Sequence, residues 1–141
     1  MAVYGQERLT TSATIATAAY ELRTASTDRG KVERISIFIR AATASTFGIG
    51  RPAAIGVTPS SLATWLALDP AEPAGTVQSS LSWAIGPTAP VNFFKRIQLA
   101  VNSEGVILTF PTLLVIAVSS SIVIWNITAV AVAHVNVMGE E

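Results

Sequence analysis

The chain has no cysteine, which excludes a disulfide framework, a thiolate zinc site and a catalytic thiol. It has one histidine, His134. Charged residues make up 13% of it, against about 25% in typical soluble domains. The 9 Lys+Arg are balanced by 9 Asp+Glu, so the basic excess that marks nucleic-acid binders is missing. A membrane-spanning helix needs about 20 predominantly apolar residues, and no such run occurs. Gly105–Gly139 holds no Asp, Glu, Lys or Arg, but Pro111, Ser119-Ser120-Ser121, Asn126, His134 and Asn136 interrupt it. Met1–Arg8 lacks the apolar core of a secretory signal. Neither a nucleic-acid nor a membrane partner is expected.

What remains is an apolar chain of one-domain size, with 141 residues of which 50% are hydrophobic. So few charges with no net charge favour association, so a homo-oligomer is expected, a trimer or dimer. The charges are uneven: eleven of the eighteen fall in residues 1–51.

Residues 1–16 are rich in Thr, Ser and Ala without a period and read as an extended N-terminal arm. Residues 17–141 read as the folded domain. A first strand is expected near Thr17–Thr24, with a short helix around Thr14–Tyr20 as the alternative. Asp28 and Gly30 give Ser26–Lys31 the chemistry of a turn. Val32–Arg40 carries the clearest period: Ile35, Ile37 and Ile39 on one face, Arg34, Ser36, Phe38 and Arg40 on the other. That is a strand with one buried face. Thr43–Gly50 is expected to pair with it after a bend at Ala41-Ala42 or Thr43-Ala44, and Arg51-Pro52 stops it.

Residues 53–61 and 69–75 read as loops, and Leu62–Leu68 as a strand or helical turn. Further strands are expected at Thr76–Ile85, Phe93–Ala100, Val106–Phe110, Leu113–Ala117, Ser121–Ile127 and Thr128–Val137. The last has Val130 and Val132 on one face and Val135 and Val137 on the other, which suggests a strand buried on both faces or a change of face at a bulge near His134. About eight to ten short strands with regular turn signals predict an all-β antiparallel β-sandwich. The longer connections make it jelly-roll-like.

Candidate chemistry is sparse. General acid–base work needs a histidine or a carboxylate tuned by neighbours, and no carboxylate lies near His134 in sequence before Glu140. No carboxylate pair or ligand spacing suggests a glycosidase or a metal site. Gly48-Ile49-Gly50 lacks the third glycine and the helix of a dinucleotide fingerprint. Asn126-Ile127-Thr128 matches a glycosylation sequon inside an apolar strand. The sequence thus predicts no enzyme and no cofactor. Contact with other subunits is the remaining role. It is assigned to Tyr4 and Arg8 in the arm, to the charge cluster Asp28, Arg29, Lys31 and Arg34, and to Trp65 beside a loop; Trp83 and Trp125 are expected in the core.

Several segments carry a resemblance: Ile35-Ser36-Ile37-Phe38-Ile39-Arg40, Phe47-Gly48-Ile49-Gly50-Arg51-Pro52-Ala53-Ala54, Phe94-Lys95-Arg96-Ile97, and Gly105–Pro111 ahead of Ser121–Asn126. Together, over residues 30–137, they resemble small β-rich structural proteins of tailed phages, of the capsid decoration (cement) type. The resemblance implies a protein of the capsid exterior, made in the host cytoplasm, with the major capsid protein as partner. A tail or baseplate component binding a host-surface glycan is the alternative, for which Trp65 and Tyr4 would have to be exposed.

Overall fold

The computed structural model describes residues 2–11, 15–39, 43–102, 105–128 and 132–141. Among these there are thirteen strands and no helix: β1 (Val3–Leu9), β2 (Ala18–Arg23), β3 (Gly30–Ile39), β4 (Ser45–Gly50), β5 (Val57–Ser60), β6 (Ala63–Thr64), β7 (Leu66–Ala67), β8 (Gln78–Ser80), β9 (Ser82–Ile85), β10 (Phe93–Leu99), β11 (Val106–Ile116), β12 (Ser121–Thr128) and β13 (Ala133–Glu140). A five-stranded sheet has the order β11-β3-β13-β1-β7 and a six-stranded sheet the order β10-β4-β12-β2-β8-β6. β5 and β9 form a separate two-stranded sheet. All pairings are antiparallel.

One apolar core joins the two larger sheets. The five-stranded sheet contributes Val32, Ile35, Ile37, Ile39, Val135 and Val137, and the six-stranded sheet Tyr20, Leu22, Phe47, Ile49, Ile97 and Ile124. Apart from Val32, which a register shift at Met138/Gly139 separates from Ile35, these residues recur at every second position of their strands, the period that sends alternate side chains to one face. Tyr20 is wholly buried, and that burial pushes its hydroxyl well above the ordinary value of 10.0, against smaller opposing effects from Ser79 and Arg8. The folded state therefore holds the proton more tightly than the unfolded chain. Stability should be full below about pH 10 and fall as pH rises further. Alkaline unfolding followed by circular dichroism should show this decline, and Tyr20→Phe should flatten it.

Several expected features differ. Residues 3–9 are not an arm: β1 pairs with β13 over seven positions, from Val3 opposite Glu140 to Leu9 opposite His134. Its period is hidden in the sequence because the inward face is Tyr4, Gln6 and Arg8, only one of which is apolar. Gln6 donates to the Thr64 carbonyl at 2.9 Å, and Arg8 donates to the carbonyls of Ser61 at 2.6 Å and Ser79 at 3.0 Å. β3 and β4 do not pair; they lie in different sheets. Arg40, Ala41 and Ala42 lie outside the described residues, as do Met1, residues 12–14 and Val130.

Pro111 does not end a strand. β11 runs through it, with a register shift between Thr109 and Leu114, because β11 is an edge strand and proline is tolerated where no ladder bond is needed. The expected loop at 53–61 contains β5. Thr76–Ile85 is split at Leu81 into β8 and β9, which belong to different sheets. In β13 the alternation is unbroken from Ala133, with Ala133, Val135 and Val137 inward. Its register shift lies at Met138/Gly139, not at His134.

Residues 51–92 link β4 and β10, which are neighbours in the six-stranded sheet. This insertion crosses the outer face of that sheet. There Trp83 and Phe93 pack on Ala18, Val123 and Trp125. The insertion then adds β6 and β8 beyond β2, and β7 beyond β1. The glycines of Gly48-Ile49-Gly50 are packing positions: a Cβ on Gly48 would meet the Phe93 ring at 2.5 Å, and one on Gly50 would meet Pro90 at 2.8 Å.

Candidate interaction surface

The seven residues assigned to subunit contact separate into two groups. Tyr4 and Trp65 are buried, with Trp65 1% exposed. Their rings stack at 6.2 Å between centroids and 25° between planes, and the Tyr4 hydroxyl donates to the Pro73 carbonyl at 3.3 Å. Trp65 stands where the chain passes from β6 in one sheet to β7 in the other. Arg8 is half-buried on the carbonyls of the insertion. These three hold the molecule together. A tryptophan beside a proline-rich loop resembles a contact residue in sequence; nothing local reveals that Gly139 leaves space for its ring and Gly75 for its Cβ and carbonyl.

Asp28, Arg29, Lys31 and Arg34 remain at the surface. Asp28 accepts a hydrogen bond from the Thr27 hydroxyl at 2.7 Å in the turn before β3. Arg29 and Arg34 are exposed, and Asp28 and Lys31 are half-exposed. Lys31 lies opposite Glu140 in the register, and Arg34 reaches the thioether of Met138.

The outer face of the five-stranded sheet is open. Residues paired directly across strands share a face, so three rows can be read from the register. Leu9, His134 and Phe38 form one row; Glu7, Asn136, Ser36 and Ile107 the next; and Leu66, Gly5, Met138, Arg34 and Thr109 the third. His134 stacks on Phe38 at 4.5 Å between centroids and 6° between planes, and its Nδ1 lies 2.8 Å from Glu7 Oε1. The carboxylate absent from the neighbourhood of His134 in sequence thus arrives on β1.

Two features escape the sequence reading. One is the β10 edge, where Arg51 lies over the exposed Phe94 ring at 4.8 Å and Arg96 over Phe93 at 5.3 Å. The Phe93-Phe94-Lys95-Arg96 run was its signal. The other is Glu21: its place among Arg23, Asp28, Arg29 and Glu33 in the sequence suggests a solvated charged face, but it is a fully buried carboxylate beneath the insertion. It accepts from the Gly56 N–H at 3.0 Å and from Trp83 Nε1–H at 2.7 Å, and lies 3.6 Å from the Arg23 guanidinium. Arg23 in turn donates to the Gly56 carbonyl at 3.0 Å. Asn126 of the sequon is buried, 1% exposed. Among the described residues no group of three or more histidines and carboxylates is placed to hold a metal, and no helix is long and apolar enough to cross a membrane. Comparison with family models, curated proteins and solved structures found no match.

Proposed function

We propose that this chain is a virion structural protein: a capsid decoration protein that binds the outer surface of a major capsid lattice and stiffens it through repeated contacts. The proposal includes a jelly-roll plan for the two sheets. The strand order is the observation that supports it. With the five short insertion strands β5 to β9 set aside, the sheets read β11-β3-β13-β1 and β10-β4-β12-β2. Strands adjacent in sequence thus alternate between sheets, except β4 and β10, which the insertion joins. An eight-stranded double sheet of this plan is a recurrent capsid architecture. Contacts that are modest singly accumulate over a symmetric lattice, because each copy can engage several subunits at once.

Asp28 and Arg29 are the charged contacts retained in this reading; Tyr4, Arg8 and Trp65 are not. The glycan-binding alternative depended on exposure of Trp65 and Tyr4 and has no support left. The test is mass spectrometry and image reconstruction of purified phage particles carrying the chain. Many copies at symmetric positions on the shell are expected, and double reversal of Asp28→Arg and Arg29→Asp should lower occupancy while changing stability by no more than about 0.5 kcal/mol. Copies confined to the tail, or none at all, would overturn the proposal.

A further inference from the structure

The two sheets differ in what lies outside them. The outer face of the six-stranded sheet is covered by the chain's own insertion, which buries Val123, Trp125 and Glu21. Among the described residues nothing comparable covers the outer face of the five-stranded sheet, and it is not a purely polar surface. Leu9 is 50% exposed and Ile107 67%, and Phe38 lies between them. We propose that this face docks a second copy of the same chain, face to face, about a two-fold axis running along β13. The inference needs only the chain itself and stands whether or not the partner shell is a capsid.

The argument is self-complementarity. β13 is the middle strand of the face, with β3 on one side and β1 on the other. A two-fold along β13 puts β1 of one copy against β3 of its partner and keeps the rows in step. Leu9 then faces the partner's Phe38. Arg34 faces the partner's Gly5, a position flanked by the side chains of Leu68 and Met138. Glu7 faces the partner's Ser36 and lies one row, about 6.8 Å along the strand, from the partner's Arg34. That is within reach of a guanidinium. Each opposed charge pair occurs twice, as an isologous contact requires. An axis across the strands instead lays each strand on its own copy, so Glu7 on β1 never meets Arg34 on β3.

The size is sufficient. Four strands at about 4.8 Å by seven residues at about 3.4 Å, extended on one side by the two-residue β7, give a face roughly 19–24 Å by 24 Å. With side-chain relief this approaches the roughly 800 Å² per partner of a standard interface.

The test is analytical ultracentrifugation of the purified chain, with charge reversal. Wild type should sediment as a dimer. Glu7→Arg or Arg34→Glu alone should weaken dimerisation by about tenfold or more, and the two together should restore most of it. Melts by circular dichroism establish that each variant is folded. Because the chain has no cysteine, crosslinking tests the axis separately, using a bismaleimide matched to the roughly 10 Å between packed sheets. Asn136→Cys, on the axis, should crosslink to itself. Glu7→Cys should crosslink to Ser36→Cys in mixed samples and not to itself. A monomer, a trimer, a dimer indifferent to both reversals, or self-crosslinking at Glu7→Cys would each overturn the proposal. Hydrogen-exchange protection of this face found only on particles would assign it to the shell instead, and so would also overturn it.

Discussion

Truncating Trp65 to alanine should destabilise the fold by about 3–5 kcal/mol, the usual cost of removing a large buried aromatic, and lower the melting temperature by about 10–20 °C. The ring is 1% exposed and stacks on Tyr4. A Cβ at Gly139 would come within 2.7 Å of its tip, and one at Gly75 within 3.1 Å of its own Cβ. Its amide donates to the Val77 carbonyl at 3.0 Å, and the Val77 and Thr76 amides donate to the Glu141 carboxylate at 2.6 and 2.7 Å. The cavity cannot close easily, because its walls come from both sheets and from the insertion. Chemical denaturation with two-state analysis measures the loss. A change below about 1 kcal/mol would restore the idea that this tryptophan serves a partner rather than the core.

The second large effect is expected at Glu21. Glu21→Ala should cost about 3 kcal/mol or more, because it strands Arg23 and leaves the Gly56 and Trp83 N–H groups without their acceptor under the insertion. Glu21→Gln keeps the shape and one carbonyl oxygen, so it should cost less. The discriminating measurement is proteolysis of the folded protein. Loss of this carboxylate should make residues 51–92 cleavable under conditions in which the two sheets stay protected. Loss of protection across the whole chain at once would mean that insertion and sheets open as a single unit, contrary to this expectation. Gly56 points the same way: a Cβ there would sit 2.1 Å from Trp83 Cδ1, so the clamp admits only glycine at that position without moving the indole.

The legibility of the fold in the sequence followed the chemistry of each inward face. β3 is plain because Ile35, Ile37 and Ile39 alternate with Arg34, Ser36 and Phe38, and β12 because Ser121–Ile127 is largely apolar on both faces. The apolar outer face of β12 has its cause in the insertion that covers it. β1 was invisible because Gln6 and Arg8 face inward, satisfied by carbonyls from residues 61, 64 and 79. A local pattern cannot report partners fifty or more positions away.

The same limit governed the surface. Of the charges that the sequence groups as a solvated face, Arg29, Glu33 and Arg34 are exposed and Asp28 and Lys31 half-exposed, whereas Glu21 is buried under the insertion. Trp65 was misplaced because its burial depends on glycines at 75 and 139. The proximity of His134 and Glu7 depends wholly on the β1–β13 pairing.

That pairing also dictates the order in which the protein can be built. β13 lies in the middle of its sheet, between β3 and β1, yet it is made after both. As the chain leaves the ribosome, β1 and β3 must wait, each with an edge unpaired, until residues 133–140 are synthesised. Half of the molecule is therefore obliged to fold after translation of those residues rather than during it. Such distant pairing makes folding slow and leaves apolar strands open to the wrong partners meanwhile. Yield in cells should accordingly depend on temperature and chaperone supply more than final stability alone would suggest.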